Sequence, residues 1–467
     1  MDESEFPINF KLIKDYYREQ FLKYFSKFDN GFMLLIDSEI YKLFSYILFP
    51  IDSDLKTKIK KHIVLDDNIT DILTDMLDPE QSRADPSRRS IFDSIETVIY
   101  ILKPRKAIVQ KAYMASKVLE SIGIIDYNYM FIPRGMTYLS EPYLINNPEK
   151  VEFINMNIIP FEKDVLSLEI TDSFFNCIQQ EDLEYLSQSS EAISRLEKVY
   201  GTIKYKFAVG PNAVDILNRL LSVSTELDAP FQISDTAEYQ GYGSTVKSGE
   251  IDAIFIIDRK ADLVTPFCIQ QTYEGMLDEH YGINATSLDV STSIVKGNNE
   301  EEKKAIAAGK PPPKESMGIR TDQDLIIEEL RDLHFVALES KFSQRVNDID
   351  SIIKQKDNPK NVDDLQKYIE KLKNMKITQV KDKITYHINL AHFINSKITN
   401  FDYNDCLSLE QSIIYGENSK EMIESFQLLM AKGVDKDSVL RLLALTSITQ
   451  SGLKEKVYQD LLKEYTD

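Results

Sequence analysis

The sequence predicts an α/β chain that becomes α-helical in its later part, and three observations lead there. Short apolar runs alternate with helical patterns through the first third. One run, Ile251 to Ile257, is apolar almost throughout, as a parallel strand buried on both faces is. Beyond Leu338, apolar residues recur at helical spacing over long stretches. With 467 residues and roughly 150 per domain, the chain makes about three domains. A hydrophobic content of 43%, with 10% aromatic residues, fills several cores and excludes a disordered chain.

In order, Phe10, Ile13, Tyr17, Phe21 and Tyr24 mark a first helix, which Gly31 separates from the strand Phe32 to Ile36. Strand-like runs at Thr97 to Leu102 and Tyr129 to Ile132 flank a helical pattern from Ile108 to Leu119. That alternation is the pattern of a parallel sheet covered by helices. Asp78 to Ser90, with Pro79 and Pro86, reads as a surface loop. From Glu141 a second α/β segment follows: Val151 to Ile159 extended, Leu183 to Tyr200 and Ala213 to Leu221 helical. A polar linker, Ala229 to Glu250, leads to the strand Ile251 to Ile257. Asn284 to Thr321 carries Gly297, the acidic run Glu300 to Glu302, Gly309 and Pro311 to Pro313, and reads as a long flexible insertion.

Then helices dominate. Leu338, Phe342, Val346, Ile349 and Ile353 fall at spacings of four, four, three and four, one stripe of a long helix. Asn358-Pro359 ends it, and Leu365, Ile369 and Leu372 mark the returning arm of a hairpin. Val380, Ile384, Ile388, Ala391, Ile394 and Ile398 carry a further helix. Met422, Phe426, Leu429 and Met430, then Val439 to Leu445, carry two more. Such a stripe is either the core of its own domain or a groove for an incoming amphipathic helix, and periodicity does not separate the two.

A net charge of -20 opposes nucleic acid and anionic lipid. Three distant cysteines, Cys177, Cys268 and Cys406, write neither a disulfide framework nor a zinc cluster. The acidic start, Met1 to Glu5, has no secretory pattern, and no apolar run reaches the roughly 18 residues of a membrane span. Any membrane role is expected to work through partners. No phosphate-binding G-x-x-x-x-G-K-[ST] occurs, and Gly241-Tyr242-Gly243 precedes a strand where a dinucleotide fingerprint follows one. The histidines His62, His280, His334, His387 and His392 form no metal-ligand spacing. Asp258 and Asp262 are the most enzyme-like pair, because an Asp at a strand end is where open sheets hold Mg²⁺. A Mg-dependent phosphohydrolase would use them as nucleophile and metal ligand. The structural alternative is an ion-paired turn, with Asp258 beside Arg259 and Asp262 one turn on. It is favoured, since no nearby acidic or His cluster completes a metal shell.

The run Ile254 to Ile283, IFIIDRKADLVTPFCIQQTYEGMLDEHYGI, resembles the signature of the Sec/Munc family of SNARE regulators. Its members in this chain are Asp258, Arg259, Asp262, Thr265, Pro266, Gln270, Thr272, Tyr273, Glu274, Gly275, Asp278 and Glu279. Support is spread along the chain in Lys103-Pro104-Arg105, Phe131-Ile132-Pro133-Arg134, Ile159-Pro160-Phe161, Tyr200-Gly201-Thr202-Ile203, Val439-Leu440-Arg441-Leu442 and Ser451-Gly452-Leu453-Lys454. The pattern is most similar to the family's vacuolar protein-sorting members, subunits of the HOPS and CORVET tethering complexes.

The resemblance implies a three-domain arch without enzymatic activity or cofactor: an α/β domain at 1–138, a second at 139–250, a strand with a helical hairpin and helical subdomain at 251–445, and a return toward the second domain at 446–467. The family's chains run on past Ser451 to Lys454, so the second domain is expected to be incomplete here. A syntaxin-type Qa-SNARE and an R-SNARE are the implied partners, templated around Leu338 to Ile377, with Leu338, Phe342, Val346, Ile349 and Ile353 as groove candidates. A β-propeller and solenoid subunit would bind at Met422, Phe426, Leu429 and Met430. The implied location is cytoplasmic and peripheral on endosomal, vacuolar or lysosomal membranes. A tethering scaffold without SNARE contact is the remaining alternative.

Overall fold

The computed structural model describes residues 8–51, 53–66, 68–69, 73, 95–121, 123–124, 126–134, 148–170, 173–226, 249–296, 300–307, 312–321, 324–354, 377–399, 401–416, 419–450, 452 and 455–466. The chain forms two compact units, Met1–Asp258 and Arg259–Asp467.

The first unit is built on five strands: β1 (Phe32–Asp37), β2 (Ile59–Leu65), β3 (Thr97–Leu102), β4 (Asp126–Phe131) and β5 (Val151–Phe153). They lie in the order β2-β1-β3-β4-β5, and every neighbouring pair is parallel. Parallel neighbours need crossovers, and the helix Lys106–Glu120 supplies the one between β3 and β4. It presents Val109, Ala112, Ala115 and Leu119 to a core shared with Met33, Leu35, Val98, Tyr100 and Leu102. The helix Lys11–Phe25 buries Ile13, Tyr17, Phe21 and Phe25, and Phe25 stacks on Phe32 with ring centroids 5.5 Å apart. Layers on both faces explain why all six positions of β1 are buried.

A short antiparallel pair follows, β6 (Ile159–Pro160) with β7 (Leu166–Ser167). The helices Glu184–Tyr200 and Pro211–Glu226 then bracket β8 (Tyr205–Val209), which pairs in parallel with β9 (Ala253–Ile257). This is the run expected to be buried on both faces, and the expectation needs correcting. Phe255 is 67% and Ile257 65% exposed, and Phe255 stacks on the half-exposed Phe207 at 4.8 Å. Among the described residues the pair is joined by no further strand, and the helix Pro211–Glu226 lies against it.

In the second unit, β10 (Ser287–Ser291) pairs antiparallel with β11 (Lys314–Gly318). Both lie in the stretch expected to be a flexible insertion, a second correction. Leu288 and Val290 alternate inward and are fully buried, and Ile319 joins them in the core. Two alternating apolar residues and one antiparallel strand pairing fix β10 and β11 although the surrounding composition is polar, while Gly297, Gly309 and Pro311 lie outside the described residues. The helices Leu325–Leu330, Leu338–Lys354, Ile377–Ile398, Phe401–Tyr415, Ser419–Ala431, Lys436–Thr449 and Glu455–Thr466 complete the unit. The loop Asp78 to Ser90, most of the linker Ala229 to Glu250, and the returning arm at Leu365, Ile369 and Leu372 lie outside the described residues.

Candidate functional site

The signature run begins at β9 and crosses the boundary between the units, so its two aspartates have separate duties. Asp258 is buried in the first unit. Its backbone N–H donates to the Val209 carbonyl at 2.9 Å. Its carboxylate accepts the N–H of Asn212 at 3.0 Å, satisfying an unpaired donor in the first turn of the helix Pro211–Glu226. Gly210, with φ +96°, makes room for it: a Cβ there would lie 2.5 Å from the Asp258 Cβ.

Asp262, in the second unit, accepts the N–H groups of Val264 and Thr265, each at 3.0 Å. The Thr265 hydroxyl and N–H hold its carboxyl below the usual carboxylate range. Arg259 donates to the Asp262 carbonyl at 2.5 Å and stands 3.7 Å from its carboxylate. The expected turn is therefore real, but Arg259 pairs with Asp262, and Asp258 holds a helix end. Each carboxylate is engaged by backbone donors, an arrangement that anchors a chain. Among the described residues no group of three or more His, Cys, Asp or Glu side chains converges as a metal site.

Thr265 and Pro266 form a short exposed 3-10 turn. Thr272 caps the signature helix Tyr273–Tyr281, accepting the Gly275 N–H at 3.3 Å. Gly275 has to be glycine for packing, because a Cβ would meet the Gln270 Cβ at 2.7 Å. The acidic members are partnered across the fold. Glu274 takes a bidentate pair of bonds from Arg331, both 2.7 Å. Asp278 accepts the Ile283 N–H at 2.8 Å and closes the helix, while Glu279 pairs with Arg441 of the late block at 2.5 Å. Tyr273 is fully buried, its hydroxyl 2.8 Å from His387 Nδ1. From Arg259 onward the signature residues thus form a structural hub of the second unit. Sequence reasoning missed its partners Arg331, His387 and Arg441, and also Glu410, a buried carboxylate that accepts the Ile269 N–H at 2.7 Å.

The groove candidates divide. Leu338 and Phe342 are buried in the core that holds Tyr273, Leu277 and Ile384, and Ile349 packs half-buried against it. Val346 is 39% exposed, while the side chain of Ile353 lies outside the described residues. The stripe is therefore mainly the face that seats the helix, with Val346 at its edge. Its solvent side presents Glu339, Ser343, Val346 and Asn347. The partner-subunit candidates change more. Met422, Phe426 and Leu429 are buried with Cys406, Ile413, Leu442 and Leu445, and Met430 packs against that cluster. Met422, Phe426 and Leu429 hold the late helices together from inside the cluster, while Met430 is half-buried at its edge and Leu428, on the same helix, is 54% exposed.

The chain is similar to known proteins in sequence and in fold. The chain is 27% identical to the vacuolar protein-sorting-associated protein 33 homolog of Arabidopsis thaliana, over 79% of this chain and 58% of that protein. It is also 27% identical to the vacuolar protein sorting-associated protein 33A of Rattus norvegicus, over 78% and 59% respectively. It therefore spans a little under three fifths of the length of these relatives. Among solved structures, it shares the fold of the SM protein Vps45 in complex with the Qa SNARE Tlg2, with a TM-score of 0.54 at 16% identity over 97% of this chain and 75% of that one. The Unc18–syntaxin 1 complex from Monosiga brevicollis matches with a TM-score of 0.51 at 14% identity, over 98% and 75%. The Sec1 family's sequence model covers residues 53–467, which include the whole signature hub and the late block it grips, and the chain accordingly belongs to the Sec1 family.

Proposed function

We propose that this chain binds SNARE helices and regulates their assembly during fusion of endosomal, vacuolar or lysosomal membranes, working by binding and not by turnover. The observation that carries the reading is the Sec1-family match over residues 53–467. Vacuolar sorting relatives support the membrane system, and fold neighbours solved with a Qa SNARE or with syntaxin 1 support the partner class. A syntaxin-type Qa-SNARE is the first partner. An R-SNARE, a β-propeller and solenoid subunit, and membership of HOPS or CORVET complete the proposal, with three domains divided at 138, 250 and 445. Among the described residues no helix is long and apolar enough to cross a membrane, which suits peripheral attachment through those partners.

Templating fits a protein of this kind. SNARE helices are disordered before pairing, and a surface that holds two of them in register prepays part of the ordering entropy. The contact surface we assign is the solvent side of the helix Leu338–Lys354, centred on Val346. The subunit contact moves to the outer side of the helix Ser419–Ala431, around Leu428. The test is binding of the purified chain to Qa- and R-SNARE motifs, alone and together, before and after Val346→Asp. Weakened binding by a folded variant supports the surface. Unchanged binding removes the surface, and no binding by folded wild type leaves a tethering scaffold without SNARE contact.

A further inference from the structure

Three buried polar side chains from three elements of the second unit meet in one place. Tyr273 opens the signature helix, Asp324 caps the helix Leu325–Leu330, and His387 lies midway along the helix Ile377–Ile398. All three are at most 1% exposed. The Tyr273 hydroxyl is 2.8 Å from His387 Nδ1, and His387 Nε2 is 3.1 Å from Asp324 Oδ2. Lys383, one turn before His387, reaches the same carboxylate oxygen at 3.2 Å. The other oxygen of Asp324 accepts the N–H groups of Ile326 at 3.1 Å and Ile327 at 3.4 Å. An imidazole protonated on Nε2 satisfies every atom: Nε2–H donates to the carboxylate and Nδ1 accepts the tyrosine O–H. Asp324 and Lys383 cancel in charge.

Apolar packing alone sets the rotation and height of a helix loosely, since cores of conserved volume repack. A directional chain of hydrogen bonds is satisfied in one arrangement only. Rotating or sliding the helix Ile377–Ile398 would strand a buried carboxylate, an imidazole and a phenol together. We propose that Tyr273, His387, Asp324 and Lys383 form a register lock that admits a single seating of the helix Ile377–Ile398 against the signature helix and the helix Leu325–Leu330. The inference is independent of which partner the chain binds. A buried ionic network contributes little net stability beside an apolar replacement of the same volume, so seating and stability are separable by experiment.

Two variants of the full chain test it: Tyr273→Phe, and the combination Tyr273→Phe, His387→Leu, Asp324→Asn, Lys383→Met, in which Asn keeps the helix cap. The readouts are Tm and peptide-resolved hydrogen exchange. Tyr273→Phe leaves His387 Nδ1 without its donor and lowers Tm by about 3–8 °C. Peptides of 377–398 then exchange about tenfold faster while those of 401–449 keep the wild-type rate. The combined variant recovers only part of the Tm, because the amide introduced at 324 buries an NH2 group without an acceptor, but it shows two exchange populations across 377–398, the mark of more than one seating. Uniform acceleration over the second unit in Tyr273→Phe, or a single wild-type population in a folded combined variant, overturns the lock. Should the combined variant not fold, the single variant decides by itself.

Discussion

Phe342 and Val346 are one helical turn apart on the same apolar stripe, and the structure predicts opposite consequences for changing them. Phe342 is 9% exposed in the core with Leu338, Tyr273 and Ile384. Truncating it to Ala removes a ring from a close-packed site that collapses only in part, at a cost of about 3–5 kcal/mol. Val346 is 39% exposed. Its replacement by Asp gives up partial burial at similar helix propensity, so the cost is about 1 kcal/mol or less. Urea unfolding of the purified chain, with hydrogen exchange at 338–354 to localise the effect, measures both. If Val346→Asp also loses SNARE binding by about tenfold, roughly 1.4 kcal/mol, the contact surface and the core face are separated on one helix. Two results refute the reasoning: Phe342→Ala costing less than about 1 kcal/mol, or Val346→Asp destabilising as much as Phe342→Ala.

Three further outcomes follow from the same geometry. Gly210→Ala places a side chain at φ +96° and against the Asp258 Cβ, so it destabilises the first unit by about 2–4 kcal/mol through strain and a displaced helix cap; urea unfolding with a loss below about 1 kcal/mol contradicts this. Burial pushes the Glu410 carboxyl up, more than the Ile269 N–H and Arg441 pull it down, so the native state binds its proton more readily than the unfolded chain. Ionised Glu410 then costs stability at neutral pH, and Glu410→Gln has the higher Tm at pH 7, with the gap closing as acid protonates the wild type; a lower Tm for the variant at pH 7 reverses the sign. For Asp324, burial raises the pKa but is outweighed by His387 and Lys383, which leave it below the usual value. Its stabilisation is present above the unfolded carboxyl pKa and lost as pH falls through the folded one, so Asp324→Asn loses less stability than wild type between about pH 5 and about pH 3.

Much of the fold was legible because its causes are local. The unbroken apolar run after Gly31 places β1, the pattern from Ile108 to Leu119 places the crossover helix, and the stripe from Leu338 places a long helix. β10 and β11 were not legible, because their order comes from a pairing between segments whose own composition is polar. At the signature, the residues stood out in the sequence while their partners did not. Glu274 meets Arg331 57 positions on, Tyr273 meets His387 114 on, and Glu279 meets Arg441 162 on. No periodicity connects residues so far apart, and an Arg on a helix carries no mark of which carboxylate it will reach.

By itself the sequence determined the family, the parallel-sheet beginning and the helical end, since each rests on residue types at short spacing. Tertiary structure alone decided what those residues do. A stripe at helical period states that one face is apolar, and only the neighbours decide whether it is buried, as at Phe342 and Phe426, or left at an edge, as at Val346. In the same way an Asp after a strand is a possible ligand for a metal until the fold delivers a donor. At Asp258 the donor is the N–H of Asn212, and at Asp262 the donors are the N–H groups of Val264 and Thr265. Burial and hydrogen bonding depend on what packs alongside, and a linear pattern records only what each residue offers.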